Sequence, residues 1–197
     1  MSMDRMTFTL TEASCAAIDR EVAKYPEGQA ISAVMAGLRI AQEQNGWLSP
    51  DAIEAVAQHL RIPPMAAMEV ATFYNMYDVK PVGRWKITVC TNLPCALSGG
   101  EQAAEYVKEK LGIGFNETTA DGVFTLKEGE CMGACGDAPV ILQNNKLMLC
   151  AMSPEKIDQL IRNNNLSSVL LAIPSANKAR RGDVLKWLEQ FPVHLRT

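Results

Sequence analysis

The 197-residue chain has no apolar run near the roughly 20 residues that a membrane-spanning helix needs. Runs such as Val169-Leu170-Leu171-Ala172-Ile173 are far too short. A basic surplus is also missing. Lys and Arg number 19 against 22 Asp and Glu, and a net charge of -3 argues against a general nucleic-acid binder. Histidine is scarce, and His59 and His194 stand far apart, so a Rieske-type pair is not expected. No G-x-G-x-x-G or Walker loop occurs, which leaves no reason to place a nicotinamide or flavin site in this chain. No acid–base pair or activated nucleophile stands out. The first ten residues lack a signal peptide's apolar core and carry acid early, so the chain is expected to stay where it is made. In that setting six cysteines read as metal ligands or buried thiols rather than disulfides.

What is present falls into three stretches. Residues 1–80 read as helices only. Thr11 is an N-cap, with Leu10 and Cys15 placed as a hydrophobic staple. A second helix presents Ile31, Val34, Met35 and Leu38 at helical spacing and stops at Gly46. Ser49-Pro50-Asp51 starts a third: cap, proline at the first turn, acid beside the helix dipole. Pro63-Pro64 opens a fourth, in which Val70, Phe73, Tyr74 and Tyr77 repeat the spacing and read mainly as core. Asp78 to Gly83 reads as a linker.

Residues 81–163 change period. Trp85, Ile87 and Val89 alternate with Lys86 and Thr88, a strand ending at Cys90. A helix opens at Gly99-Gly100, and a second strand runs from Gly122 to Lys127. Asn144-Asn145 joins a hairpin, and Ser153-Pro154-Glu155 starts a last helix. The expected class is α+β: a helical bundle followed by a thioredoxin-like α/β sandwich. Residues 164–197 carry a basic patch (Lys178, Arg180, Arg181) and a short apolar segment from Asp183, with docking on its own domain and contact with a partner both open. We assign this extension to partner contact.

The chemistry sits in two close cysteine pairs. Cys90-Thr-Asn-Leu-Pro-Cys95 is C-x4-C, and Cys131-Met-Gly-Ala-Cys135 is C-x3-C. A [2Fe–2S] cluster takes two thiolates on each iron, and two ligand pairs on neighbouring loops meet that need. Adjacent parallel strands would bring the loops to one end of the sheet. Gly99, Gly100, Gly133 and Gly136 would let backbone amides approach the sulfurs, while Glu130 and Asp137 bring acid nearby. A structural zinc site remains the alternative of another class, though its usual knuckle is C-x2-C. Thiol–disulfide chemistry on this fold expects C-x-x-C, which is absent. Cys15 and Cys150 read as buried small hydrophobes.

Over residues 10–162 the chain resembles the E subunit of NADH-quinone oxidoreductase, respiratory complex I. The resemblance is carried by Gly46-Trp47-Leu48, Val70-Ala71-Thr72-Phe73-Tyr74, Pro81-Val82-Gly83, Cys90 and Cys95, the Gly99 helix start, and Cys131-Met132-Gly133-Ala134-Cys135 followed by Ala138-Pro139. It implies one [2Fe–2S] cluster on Cys90, Cys95, Cys131 and Cys135. It also implies a partner flavoprotein subunit that binds NADH and FMN, further peripheral-arm subunits, and a place on the cytoplasmic face of a bacterial inner membrane. The equivalent subunit of an NAD-linked hydrogenase or formate dehydrogenase is the neighbouring alternative.

Overall fold

The computed structural model describes residues 8–164, 168–170 and 194–196. The basic patch and the segment from Asp183 lie outside them. The N-terminal part holds α1 (Glu12–Val22), a 3₁₀ turn (Ala30–Ala33), α2 (Val34–Asn45), α3 (Pro50–Leu60) and α4 (Pro64–Phe73). Local chemistry places their ends. The Thr11 hydroxyl accepts from the Ser14 N–H, and the Ser49 hydroxyl accepts from the Ala52 N–H ahead of Pro50. Gly46 ends α2 at φ 85°, a left-handed cap open to glycine at little strain. Ile18, Leu38, Leu48, Ile53 and Val56 fill the core between these helices.

Two apolar stripes differ from expectation. α2 buries Val34, Gly37, Leu38 and Ala41, while Ile31 and Met35 are 47% and 36% exposed. Residues 30–33 form a 3₁₀ turn, whose three-residue period puts Ile31 out of phase with α2. Gly37 is inward because a Cβ there would lie 2.9 Å from Val56 Cγ1, so the bare backbone lets α2 and α3 approach. α4 turns Ala67 and Ala71 inward and stops at Phe73. Phe73 is therefore 80% exposed rather than core. Tyr77 is buried by the turn that follows, and its hydroxyl donates to the Met35 carbonyl at 2.8 Å.

The second part is a five-stranded sheet in the order β2-β3-β1-β4-β5. β1 is Trp85–Cys90, β2 Glu117–Thr118, β3 Phe124–Gly129, β4 Ile141–Gln143 and β5 Leu147–Leu149. Two helices join β1 to β2, α5 (Leu93–Leu97) and α6 (Gly100–Leu111), and α7 (Pro154–Asn164) closes the unit. Neither β2 nor α5 is signalled by the sequence, because both are short and lack apolar periodicity. β3 starts and ends two residues later than expected. β1 and β3 run parallel with Cys90 opposite Gly129, and β4 pairs antiparallel with β1. Ile87, Val89, Phe124, Leu126 and Ile141 pack against Ala104, Val107 and Ile157 of α6 and α7. Strands β6 (Ser168–Leu170) and β7 (His194–Arg196) pair parallel with each other.

Asp78 ties the helices to the sheet and is not a solvated linker residue. Its carbonyl accepts from Leu48 N–H at 2.8 Å, and its N–H donates to Gln42 Oε1 at 2.7 Å. Its carboxylate holds the Lys86 amine of β1 and the Lys127 amine of β3, the latter at 2.9 Å.

Candidate metal centre

Because β1 and β3 are neighbours and parallel, the loops that leave them emerge at the same end of the sheet. The first loop carries Cys90 as the last residue of β1 and Cys95 within α5. Both are 2% exposed. The Cys90 N–H donates to the Val140 carbonyl at 3.0 Å, which fixes the strand end. Asn92 Oδ1 accepts from the Leu93 N–H at 3.0 Å and caps α5. α6 then starts directly against this loop. A Cβ on Gly100 would lie 2.8 Å from the Cys95 carbonyl and 2.9 Å from the Cys90 oxygen, so only a glycine fits.

The second loop carries Cys131 and Cys135, both exposed, with their Sγ atoms 3.5 Å apart. The Gly133 N–H donates to Cys131 Sγ at 3.4 Å from a backbone at φ 76°. A 3₁₀ turn over Cys135–Asp137 and a cis Ala138–Pro139 bond lead back to Val140. Side chains brace the two loops together. Thr91 Oγ1 donates to Glu128 at 2.8 Å, and Asn92 Nδ2 donates to Glu130 at 3.1 Å. Met132, Ala134 and Ala138 pack around Cys90, Cys95 and Val140.

All four cysteines of the two pairs therefore gather at one place. Cys90 and Cys95 are neighbours in one buried cluster, and both lie within electrostatic reach of Cys135. Burial, then Cys90, pushes the Cys95 thiol up. The Gly133 N–H, then Cys135, holds the Cys131 thiol down, and Cys131 in turn pushes Cys135 up. Among the described residues, no group of three or more His, Cys, Asp or Glu side chains has the geometry to hold a metal ion. Each close pair could supply two thiolates to one iron of a binuclear cluster.

Of the four glycines expected near the sulfurs, Gly133 supplies an N–H, while Gly100 makes room for carbonyl groups. A Cβ on Gly136 would meet open space. Of the bracing residues Thr91, Asn92, Glu128 and Glu130, only Glu130 is singled out by the sequence. The signal for the others is no more than a position beside cysteines at matching strand ends. Cys15 and Cys150 are half-buried rather than fully buried; Cys15 is on α1, and Cys150 follows β5. His59 is paired with Asp19 at 2.7 Å in the helical part.

Residues 18–165 match the family described as thioredoxin-like [2Fe–2S] ferredoxin. A Rickettsia felis protein, named as the E subunit of NADH-quinone oxidoreductase, is 47% identical over 141 residues, which is 71% of this chain and 84% of that protein. A Thermus thermophilus protein, named as the second subunit of NADH-quinone oxidoreductase, is 36% identical over 144 residues, 73% of this chain and 80% of that one. Among solved structures, an NAD⁺-reducing [NiFe]-hydrogenase aligns with a TM-score of 0.57 at 20% identity, covering 77% of this chain and 27% of that chain. At that identity the likeness is one of fold.

Proposed function

The chain belongs to the thioredoxin-like [2Fe–2S] ferredoxin family, in the branch that holds the E subunits of NADH-quinone oxidoreductase, and from that premise we propose that it holds one [2Fe–2S] cluster on Cys90, Cys95, Cys131 and Cys135. Bound there, the cluster supplies a one-electron carrier. Within the complex, the electrons are exchanged with FMN in a partner subunit that also binds NADH. In a bacterium the complex presents this chain at the cytoplasmic face of the inner membrane. No helix among the described residues is long and apolar enough to cross a membrane, which suits a peripheral position.

The observation that carries this reading is the meeting of two cysteine pairs at one end of two parallel strands. The chain's own residues have three tasks in it. Cys90 and Cys95 would hold the cluster from a buried, capped frame. Cys131 and Cys135 would hold it from the surface loop, where the Gly133 N–H donates to Cys131 Sγ. Such N–H···S bonds favour the more negative state and raise the reduction potential. Thr91 and Asn92 keep the loops in register through Glu128 and Glu130. The assignment to NADH-quinone oxidoreductase rests on the relatives at 36% and 47% identity, and the hydrogenase likeness contributes only fold.

Iron, zinc and inorganic sulfide analysis of the purified chain tests the cluster. About two irons and two sulfides per chain, with an EPR signal on reduction, are expected. Zinc without sulfide would overturn the reading. Co-purification with a flavin-containing, NADH-oxidising partner tests the assembly, and a chain that is recovered alone from its native host removes it.

A further inference from the structure

Three charged side chains, two buried and one part-buried, meet at one face of the sheet. The Asp78 carboxylate is held by Lys86 and Lys127, with the side chains of Asp78 and Lys86 only 3% and 4% exposed and that of Lys127 21% exposed. The trio sums to one net positive charge. Its direction in the sheet is informative. Ile87 and Val89 face α6 and α7, so Lys86, Thr88 and Cys90 share the opposite face of β1. Lys127 is in register with Thr88, and Gly129 with Cys90, so Lys127 is on that face too. From strand geometry, the Lys127 Cα is about 8 Å and the Lys86 Cα about 13 Å from the Cys90 Cα.

Methyl groups fill part of the space between. A Cβ on Gly129 would come 2.6 Å from Thr88 Cγ2 and 2.9 Å from Met132 Cε, so those two methyl groups close over Gly129. Mobile ions screen a partly buried charge poorly. An ion pair alone would present no net charge to its surroundings. The second lysine is the excess.

We propose that the Asp78–Lys86–Lys127 trio sets the reduction potential of the cluster, holding it higher through one uncompensated positive charge on the Cys90 face of the sheet. The inference rests on the [2Fe–2S] reading above. Lys127 is the residue to vary, because removing its charge leaves the Asp78–Lys86 pair intact. A unit charge at roughly 12 Å in protein surroundings changes the ratio of oxidised to reduced cluster about tenfold. For a one-electron couple, that ratio is about 59 mV.

The experiment is an EPR-monitored redox titration of the full cluster-loaded chain with Lys127 as Lys, Arg, Met and Glu. Lys127→Arg is expected to keep the potential. Lys127→Met is expected to lower it by about 59 mV, and Lys127→Glu by about twice that. A purely structural lysine would not order the variants by charge. Potentials that are equal across Arg, Met and Glu overturn the proposal, as does a shift for Arg as large as that for Met. Where the Glu variant does not fold, the Arg and Met pair makes the same comparison. Absence of iron and sulfide from the unmodified chain is the separate failure of the cluster reading.

Discussion

The two cysteine loops leave neighbouring strands at the same end of the sheet, yet they are built in opposite ways. The Cys90–Cys95 loop is interior. Both thiols are 2% exposed, α5 is capped by Asn92, and Gly100 is pressed against the loop's carbonyls. The Cys131–Cys135 loop is at the surface, with both thiols exposed and one N–H···S contact to order them. One loop is shaped by packing and the other by local backbone geometry. The first should exist whether or not a metal is bound, whereas under the proposed cluster reading the second would gain order from the metal.

The largest effect expected is loss of the cluster. Replacing any one of Cys90, Cys95, Cys131 or Cys135 with Ala should remove or distort it, while Cys15→Ala and Cys150→Ala keep it. Iron content and EPR read this, and cluster loss in either control would break the ligand assignment. The asymmetry itself is read by alkylation of the metal-free protein. Cys131 and Cys135 should react with iodoacetamide well before Cys90 and Cys95, as mapped by mass spectrometry. Equal rates for all four would remove the difference between the loops.

Next comes Gly100→Ala. The new Cβ has no flexible side chain to push aside, only the Cys95 and Cys90 carbonyl groups. A loss of about 1–3 kcal/mol in the metal-free protein is expected from denaturant unfolding. Gly133→Ala should be milder, because nothing lies within 4 Å of the added Cβ and only the backbone at φ 76° resists. About 1–2 kcal/mol of local strain is expected. It should appear as weaker cluster retention rather than a lower unfolding midpoint. Asn92→Ala, which removes both the α5 cap and the brace to Glu130, should lower stability by about 1 kcal/mol.

Much of this molecule could be read from one sequence wherever the signal was local. Ser49-Pro50-Asp51 announced α3, and Gly46 announced the end of α2, because caps act within a few residues. The alternation in Trp85–Val89 announced β1. Errors came where a local pattern was overridden from afar. Phe73 has core-like spacing but lies at the point where α4 stops, and Ile31 belongs to a 3₁₀ turn rather than to the helix it anticipates. Asp78 looked like linker because its partners, Lys86 and Lys127, are 8 and 49 residues away. A buried charge is legible only once its counter-charges are placed.

By itself, the sequence determined which thiols come in pairs, how far apart each pair can reach, and where helices begin and end. These depend on covalent spacing and on backbone groups only a few residues away. Tertiary structure alone decided the register of β1 against β3, that one pair is interior and the other exposed, and that Asp78 meets both Lys86 and Lys127. Those outcomes depend on strand pairing and burial between residues tens of positions apart, which no local pattern encodes.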